Sequence, residues 1–311
     1  MKTYYTLVLP LIFLLVVASC GSLVQDVNPD RLPKSEAKLV IHGYLSPQDT
    51  VLAIKVENNK TLFGTTVTVI PDRNTNFGPI SAVKDAIVTL SDGTKTINLV
   101  LDSRWSEYRA AAKLLPIVAG KTYTLKVTTP RSLVAESSCT IPAQVPIREA
   151  KQDSVAARYN SNRFDKTVRV LWQDPAGKGN YYKIEGGVNI QFIQPAQGTQ
   201  PEIKYNNWNL YYFNNSGGTG DLVSDAQNDG GLLASSVGRL NNSYYYSAGS
   251  NTKIIKSVVY LVTCDKNYYD YHRAMDMYND NPFSEPSLTP SNIKGGFGCF
   301  AGYNAAEFML K

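Results

Sequence analysis

The residues able to do chemistry in this chain are few and widely spaced. It has two histidines, His42 and His272, and four cysteines, Cys20, Cys139, Cys264 and Cys299. Nucleophilic catalysis needs a nucleophile, a base and a group that orients the base. Neither histidine has an acidic partner at motif-like spacing, and there is no Gly-x-Ser-x-Gly elbow, Gly-x-x-x-x-Gly-Lys phosphate loop or His-Glu-x-x-His zinc pair. His42 reads as a polar residue at a strand end and His272 as a solvent-facing helix residue. Carboxylate pairs of the glycosidase kind meet only in space, so a hydrolase built from scattered acids stays as the alternative class. The first expectation is a protein without catalytic residues or cofactor.

Three other groups could hold a ligand. Asp221, Asp225, Asn228 and Asp229 precede Gly230-Gly231. Their oxygens suit Ca²⁺, with Asp225 and Asp229 as candidate ligands, but the spacing is not that of a calcium loop. An Asx-rich turn is the favoured reading, since Asp and Asn hydrogen-bond their own backbone in turns. Cys264 and Cys299 fall in two predicted strands and form a candidate disulfide, with three buried thiols as the other reading. The aromatic runs around Trp208, Tyr211 and Tyr212 and at Tyr244, Tyr245 and Tyr246 form a candidate surface for a glycan, peptide or partner. Such rings give large contact area with few rotatable bonds. Packing of alternate rings into a core is the competing account.

The elements that must carry these residues are mostly strands. Runs rich in Val, Ile, Thr and Tyr, punctuated by turn residues, predict strands over 38–45, 50–57, 86–90, 94–101, 121–128 and 134–141. In the fifth run Tyr123, Leu125 and Val127 alternate with Thr122, Thr124, Lys126 and Thr128, one face core and one face wet. Ser91-Asp92-Gly93 marks a tight turn. Further strands are predicted over 167–172, 181–184, 188–193, 254–263 and 293–300. Tyr268, Tyr271, Met275 and Tyr278 recur at helical spacing, so an amphipathic helix spans 266–278. The fold class is all-β: an Ig-like or transthyretin-like sandwich over 36–143, a Pro-spaced linker, and a Tyr-rich β domain over 147–311 with the one short helix. All but Tyr4, Tyr5, Tyr44, Tyr108 and Tyr123 of the 20 tyrosines fall after residue 150.

Composition narrows the setting. The 311 residues carry 31 basic and 26 acidic side chains, and charged residues make up 18 %. That is too dilute a positive charge for nucleic-acid binding without a basic cluster, and no run of five basic residues exists. Lys2 and the apolar run Leu7 to Val17, followed by Val17-Ala18-Ser19-Cys20, predict a signal peptide over 1–19 with a lipobox. Cys20 is then the lipidation site, carrying diacylglycerol and an acyl chain such as palmitate. Several acyl chains at ~0.8 kcal/mol per buried CH₂ make a lasting membrane anchor. Residues 20–35, with Pro29 and Pro33, predict a tether.

The order of features resembles the Bacteroidota lipoprotein family numbered domain of unknown function 4249. The resembling segments are the lipobox at Cys20, Leu39-Val40-Ile41-His42-Gly43-Tyr44-Leu45, Asp85-Ala86-Ile87-Val88-Thr89-Leu90, and Leu115-Pro116-Ile117-Val118-Ala119-Gly120. Later come Trp172-Gln173-Asp174-Pro175 with Asn180-Tyr181-Tyr182, and Pro290-Ser291-Asn292-Ile293-Lys294-Gly295-Gly296-Phe297-Gly298-Cys299-Phe300. The resemblance implies a lipoprotein of the outer membrane, often encoded beside a TonB-dependent transporter, and supplies no catalytic residues. Acidic residues do not directly follow Cys20, so the surface and periplasmic faces of that membrane both stay open.

Overall fold

The computed structural model describes residues 37–59, 82–157, 160–194, 202–213, 221–240, 252–276 and 289–310. The expected signal peptide, Cys20, the tether, and Tyr244, Tyr245 and Tyr246 lie outside the described residues. The chain is mainly β, as expected. Its strands are β1 (Leu39–Leu45), β2 (Val51–Asn58), β3 (Ile87–Ser91), β4 (Thr96–Asp102), β5 (Glu107–Ala111), β6 (Thr122–Thr128), β7 (Val134–Thr140) and β8 (Ile147–Ala157). There follow β9 (Asn160–Gln173), β10 (Tyr181–Gln194), β11 (Ile203–Tyr212), β12 (Asp221–Ser224), β13 (Leu232–Ala234), β14 (Gly238–Leu240), β15 (Thr252–Cys264) and β16 (Gly296–Met309). The helix, α1 (Lys266–Asp276), lies between the last two strands.

Alternation builds the first core. Tyr123, Leu125 and Val127 of β6 are buried while Thr122, Thr124 and Lys126 are exposed, as a half-wet strand requires. They pack with Leu39 and Ile41 of β1, Leu52 and Ile54 of β2, and Leu90 of β3. Gly93 closes the β3–β4 hairpin at a φ of 88°, the left-handed value that glycine adopts without strain. The second core gathers Trp172 of β9, Tyr182 and Ile184 of β10, Tyr211 of β11 and Val259 and Leu261 of β15. Ile141 belongs to the first core and Val145 to the second, so the cores divide within the Pro-spaced segment 141–146.

One strand serves both. The first half of β16 runs parallel to β1, from Leu39 opposite Gly296 to Leu45 opposite Gly302. Its second half runs antiparallel to β15, from Cys264 opposite Tyr303 to Val258 opposite Met309. Phe300 accordingly lies in the first core and Phe308 packs on the second. The hydrogen-bonded strand order runs unbroken through this junction, β10-β15-β16-β1-β2. At Gly298, opposite Ile41, φ is 109° and an added Cβ would run into the Ile41 carbonyl, so only glycine fits there.

The helix is fixed at its N-terminus. Asp265 caps it: Oδ1 accepts the Tyr268 amide at 2.9 Å, and Oδ2 accepts the Gly302 amide of β16 at 2.9 Å. A carboxylate at this position satisfies a free amide and faces the positive end of the helix dipole.

Candidate ligand-binding site

Among the described residues, a recess lined by aromatic side chains lies on the outer face of the second half. It is a half-open notch of about 240 Å³ lined by Glu185, Gly186 and Gly187 of β10, Trp208 and Leu210 of β11, and Tyr260 of β15. Strand pairing explains its shape. Leu210 stands opposite Gly187, Trp208 opposite Asn189, and Tyr260 opposite Glu185. Pairing of β10 with β11 begins at Gly187, and its pairing with β12 ends at Ile184, so the floor sits where β10 changes neighbours. Gly187, on the outward face of β10, leaves that floor without a side chain, while Gly186 alternates to the inward face against Val259. Both glycines are required by the backbone: a Cβ would come within 2.6 Å of the Val258 carbonyl at Gly186 and of the Asn209 carbonyl at Gly187.

The walls are apolar and two ion pairs lie beside them. Trp208 is 46 % exposed and Leu210 40 %. Glu185 pairs with Lys183 at 3.0 Å, and Lys256 pairs with Glu307 at 2.9 Å. Lys256 also lies 5.8 Å from the centre of the Tyr260 ring and donates to its hydroxyl at 3.3 Å. Asn189 Oδ1, on the strand position opposite Trp208, is a buried acceptor with no hydrogen-bond partner among the described residues.

Of the aromatic residues expected to form a recognition surface, Trp208 lines this notch. Tyr212 is half-buried, at the end of β11. Tyr211 is a correction: at 1 % exposure it packs in the second core, because it shares the inward face of β11 with Asn209 while Trp208 and Leu210 face out.

The acidic turn is tied from within. Asp174, Asp225 and Asp229 bring carboxylate oxygens within 4.8 Å of one another. Each oxygen set already accepts hydrogen bonds. Asp225 takes the Gly179 and Asn180 amides at 3.2 and 3.1 Å, Asp229 the Gly177 amide at 2.7 Å, and Asp174 the Gly230 amide at 2.8 Å and the Tyr182 hydroxyl. The carboxylates thus clip the loop after β9 to the loop before β13, as Asx residues do in turns. Asp174, on the Trp172-Gln173-Asp174-Pro175 segment, joins the expected pair Asp225 and Asp229.

With this geometry in view, the family is decided by a match over nearly the whole chain. The model of the family described as domain of unknown function (DUF4249) matches residues 24–308. The chain belongs to that family. No curated protein matches the sequence.

The remaining chemistry-bearing groups of this DUF4249 chain converge under α1. His42 of β1 shares a 2.7 Å hydrogen bond between Nε2 and the Tyr271 hydroxyl. The His272 ring lies tilted against two others, 4.2 Å from Tyr268 and 5.5 Å from Tyr44. His272 is therefore half-buried, and His42 sits in mid-strand. Both differ from their sequence reading because α1 folds back across the β1–β16 pair, which periodicity alone does not reveal. Burial pushes the His272 imidazole down to about 4, helped by Lys183 and His42, and lowers His42.

Cys139, Cys264 and Cys299 are buried free thiols, which corrects the expected Cys264–Cys299 bridge. Cys264 faces Tyr303 across the β15–β16 pair, and Cys299 lies four residues further along β16. At about 3.3 Å per strand residue that is roughly 13 Å, well beyond the ~7 Å limit between bridged Cα atoms. Cys299 Sγ instead donates to the Asn267 carbonyl at 3.6 Å. Burial raises all three thiols, Cys299 to about 12, so they stay protonated and unreactive at neutral pH.

Sequence reasoning missed the notch because it broke β10 at Glu185-Gly186-Gly187 and read two strands. A glycine pair inside a strand pattern signals close approach of a neighbouring backbone, and that signal was present.

Proposed function

We propose that this protein is an outer-membrane lipoprotein, anchored through acylated Cys20, that serves as a binding or accessory module, in partnership with a TonB-dependent transporter. The observation that carries the reading is the notch at Gly186–Gly187: rings and an aliphatic wall held open to solvent on a rigid sheet, where a binding surface is expected to keep its apolar contacts. The lipobox supports the anchor, and the family resemblance supports the membrane and the partner. The reading assigns no bond-making step. Among the described residues Glu185 is the one carboxylate lining the notch, and the buried thiols are protonated.

Affinity purification of the native lipoprotein from membranes in mild detergent, with identification of co-purifying proteins, tests it. Recovery of a transporter, lost from a Cys20→Ser variant that no longer takes up palmitate label, is the expected result. Absence of palmitate incorporation at Cys20 removes the anchor, and absence of a transporter removes the partnership.

A further inference from the structure

We infer that the notch takes a neutral carbohydrate, one pyranose ring seated against Trp208 with its hydroxyls on the polar groups beside it; this rests on the binding-module reading above. Size comes first. At about 240 Å³ the notch is below the roughly 300–1,000 Å³ of sites for drug-sized ligands, and it has room for one ring. Its open side lets a glycan chain continue outward.

Shape and charge then choose among flat ligands. Trp208 and Leu210 on β11 and Tyr260 on β15 flank the side-chain-free floor, and those strands are separated by β10 alone. Two inter-strand spacings amount to about 9.6 Å, a trough that admits a ring lying against a wall. A sugar ring offers one face of C–H groups to such an aromatic surface and an edge of hydroxyls that both donate and accept. Polar groups supply both complements: the Glu185 carboxylate in the notch lining as an acceptor, and the Lys256 ammonium beside the Tyr260 hydroxyl as a donor.

An aromatic wall beside a carboxylate would equally suit a quaternary ammonium, which binds over ring faces. Two contacts argue against that ligand. Glu185 is already neutralised by Lys183 at 3.0 Å, and the Lys256 ammonium, donating to the Tyr260 hydroxyl at 3.3 Å, sets a like charge beside the ring. Lys183, Glu185, Lys256 and Glu307 sum to zero charge, so the notch draws neither cations nor anions. A polyhydroxylated neutral ligand is what such a surface retains.

The test titrates the full mature chain with neutral methyl pyranosides (gluco, galacto, manno and N-acetylglucosamine) and their disaccharides. Parallel arms use tetramethylammonium chloride and a terminally blocked tyrosine dipeptide. Tryptophan fluorescence and the indole N–H resonances report binding: Trp172 is fully buried, and a Trp105→Phe background removes the other exposed indole. The expected result is a saturable change with at least one sugar, in which Trp208→Ala weakens binding tenfold or more and Glu185→Gln weakens it severalfold. Trp105→Phe leaves it unchanged. No Trp208-dependent change with any sugar overturns the inference. If the ammonium or the dipeptide binds through Trp208 while the sugars do not, the carbohydrate assignment fails and the binding notch stands. If no probe responds to Trp208, both fail.

Discussion

Two clusters of aromatic side chains in this protein use the same residue types to opposite ends. Under α1, Tyr44, Tyr268, Tyr271, His42 and His272 meet ring against ring, with Tyr268 at 8 % exposure. At the notch, Trp208 stands beside glycines and shows nearly half of its surface to water. The first cluster spends its ring faces on one another and fastens the helix to the β1–β16 junction. The second has ring surface left over. Aromatic content therefore says little about function until the partners of each ring are known, and a ring whose surface is unclaimed on a rigid strand is the one to suspect of recognition.

The largest expected effect falls on the closed cluster. Tyr268→Ala removes a buried ring that touches Tyr44, His272 and Tyr303, and should cost about 3 kcal/mol, read as a lowered denaturant midpoint at unchanged slope. A loss as small as that of a surface substitution would mean the cluster does not fasten the helix. Next comes the notch floor: Gly187→Ala sets a methyl against the Asn209 carbonyl and should destabilise by about 1–2 kcal/mol while narrowing the recess.

A third effect depends on pH. Burial holds the folded-state His272 near 4 against 6.5 when free, so between those values the unfolded chain binds the extra proton. The contribution is fully present above pH 6.5 and is lost as pH falls towards 4. Asp49 and Asp265, whose carboxyls burial raises, act in the opposite sense in the lower part of that window. Midpoints measured from pH 7 to 4 should fall less steeply in His272→Leu than in the parent. Equal slopes would show that His272 is not buried in its neutral form. The smallest stability change is expected for Trp208→Ala, within about 0.5 kcal/mol of the parent, since the ring is half in solvent.

Much of the fold was legible because local pattern and burial agree. The alternation over 121–128 names its own core face, and Ser91-Asp92-Gly93 names its hairpin. Strands without that signature escaped: β5 reads Glu-Tyr-Arg-Ala-Ala, and β8 carries Arg148, Glu149, Lys151 and Asp153, a composition closer to helix or loop. For β11, a run of consecutive aromatic and polar residues, the sequence does not tell which parity faces inward, so Trp208 and Tyr211 looked equivalent. Their separation comes from the pairing with β10, a long-range fact. The histidines were misplaced for the same reason, since His42 and Tyr271 lie 229 residues apart and meet only after β16 has returned to β1.

A notch kept for a ligand should contribute little to the fold. Measuring Trp208→Ala twice in one preparation, for unfolding midpoint and for sugar-induced change in the notch resonances, separates the two roles. The midpoint should stay unchanged and the response should be lost. A lowered midpoint with the response retained would contradict the ligand role, and would make Trp208 one more ring of the core.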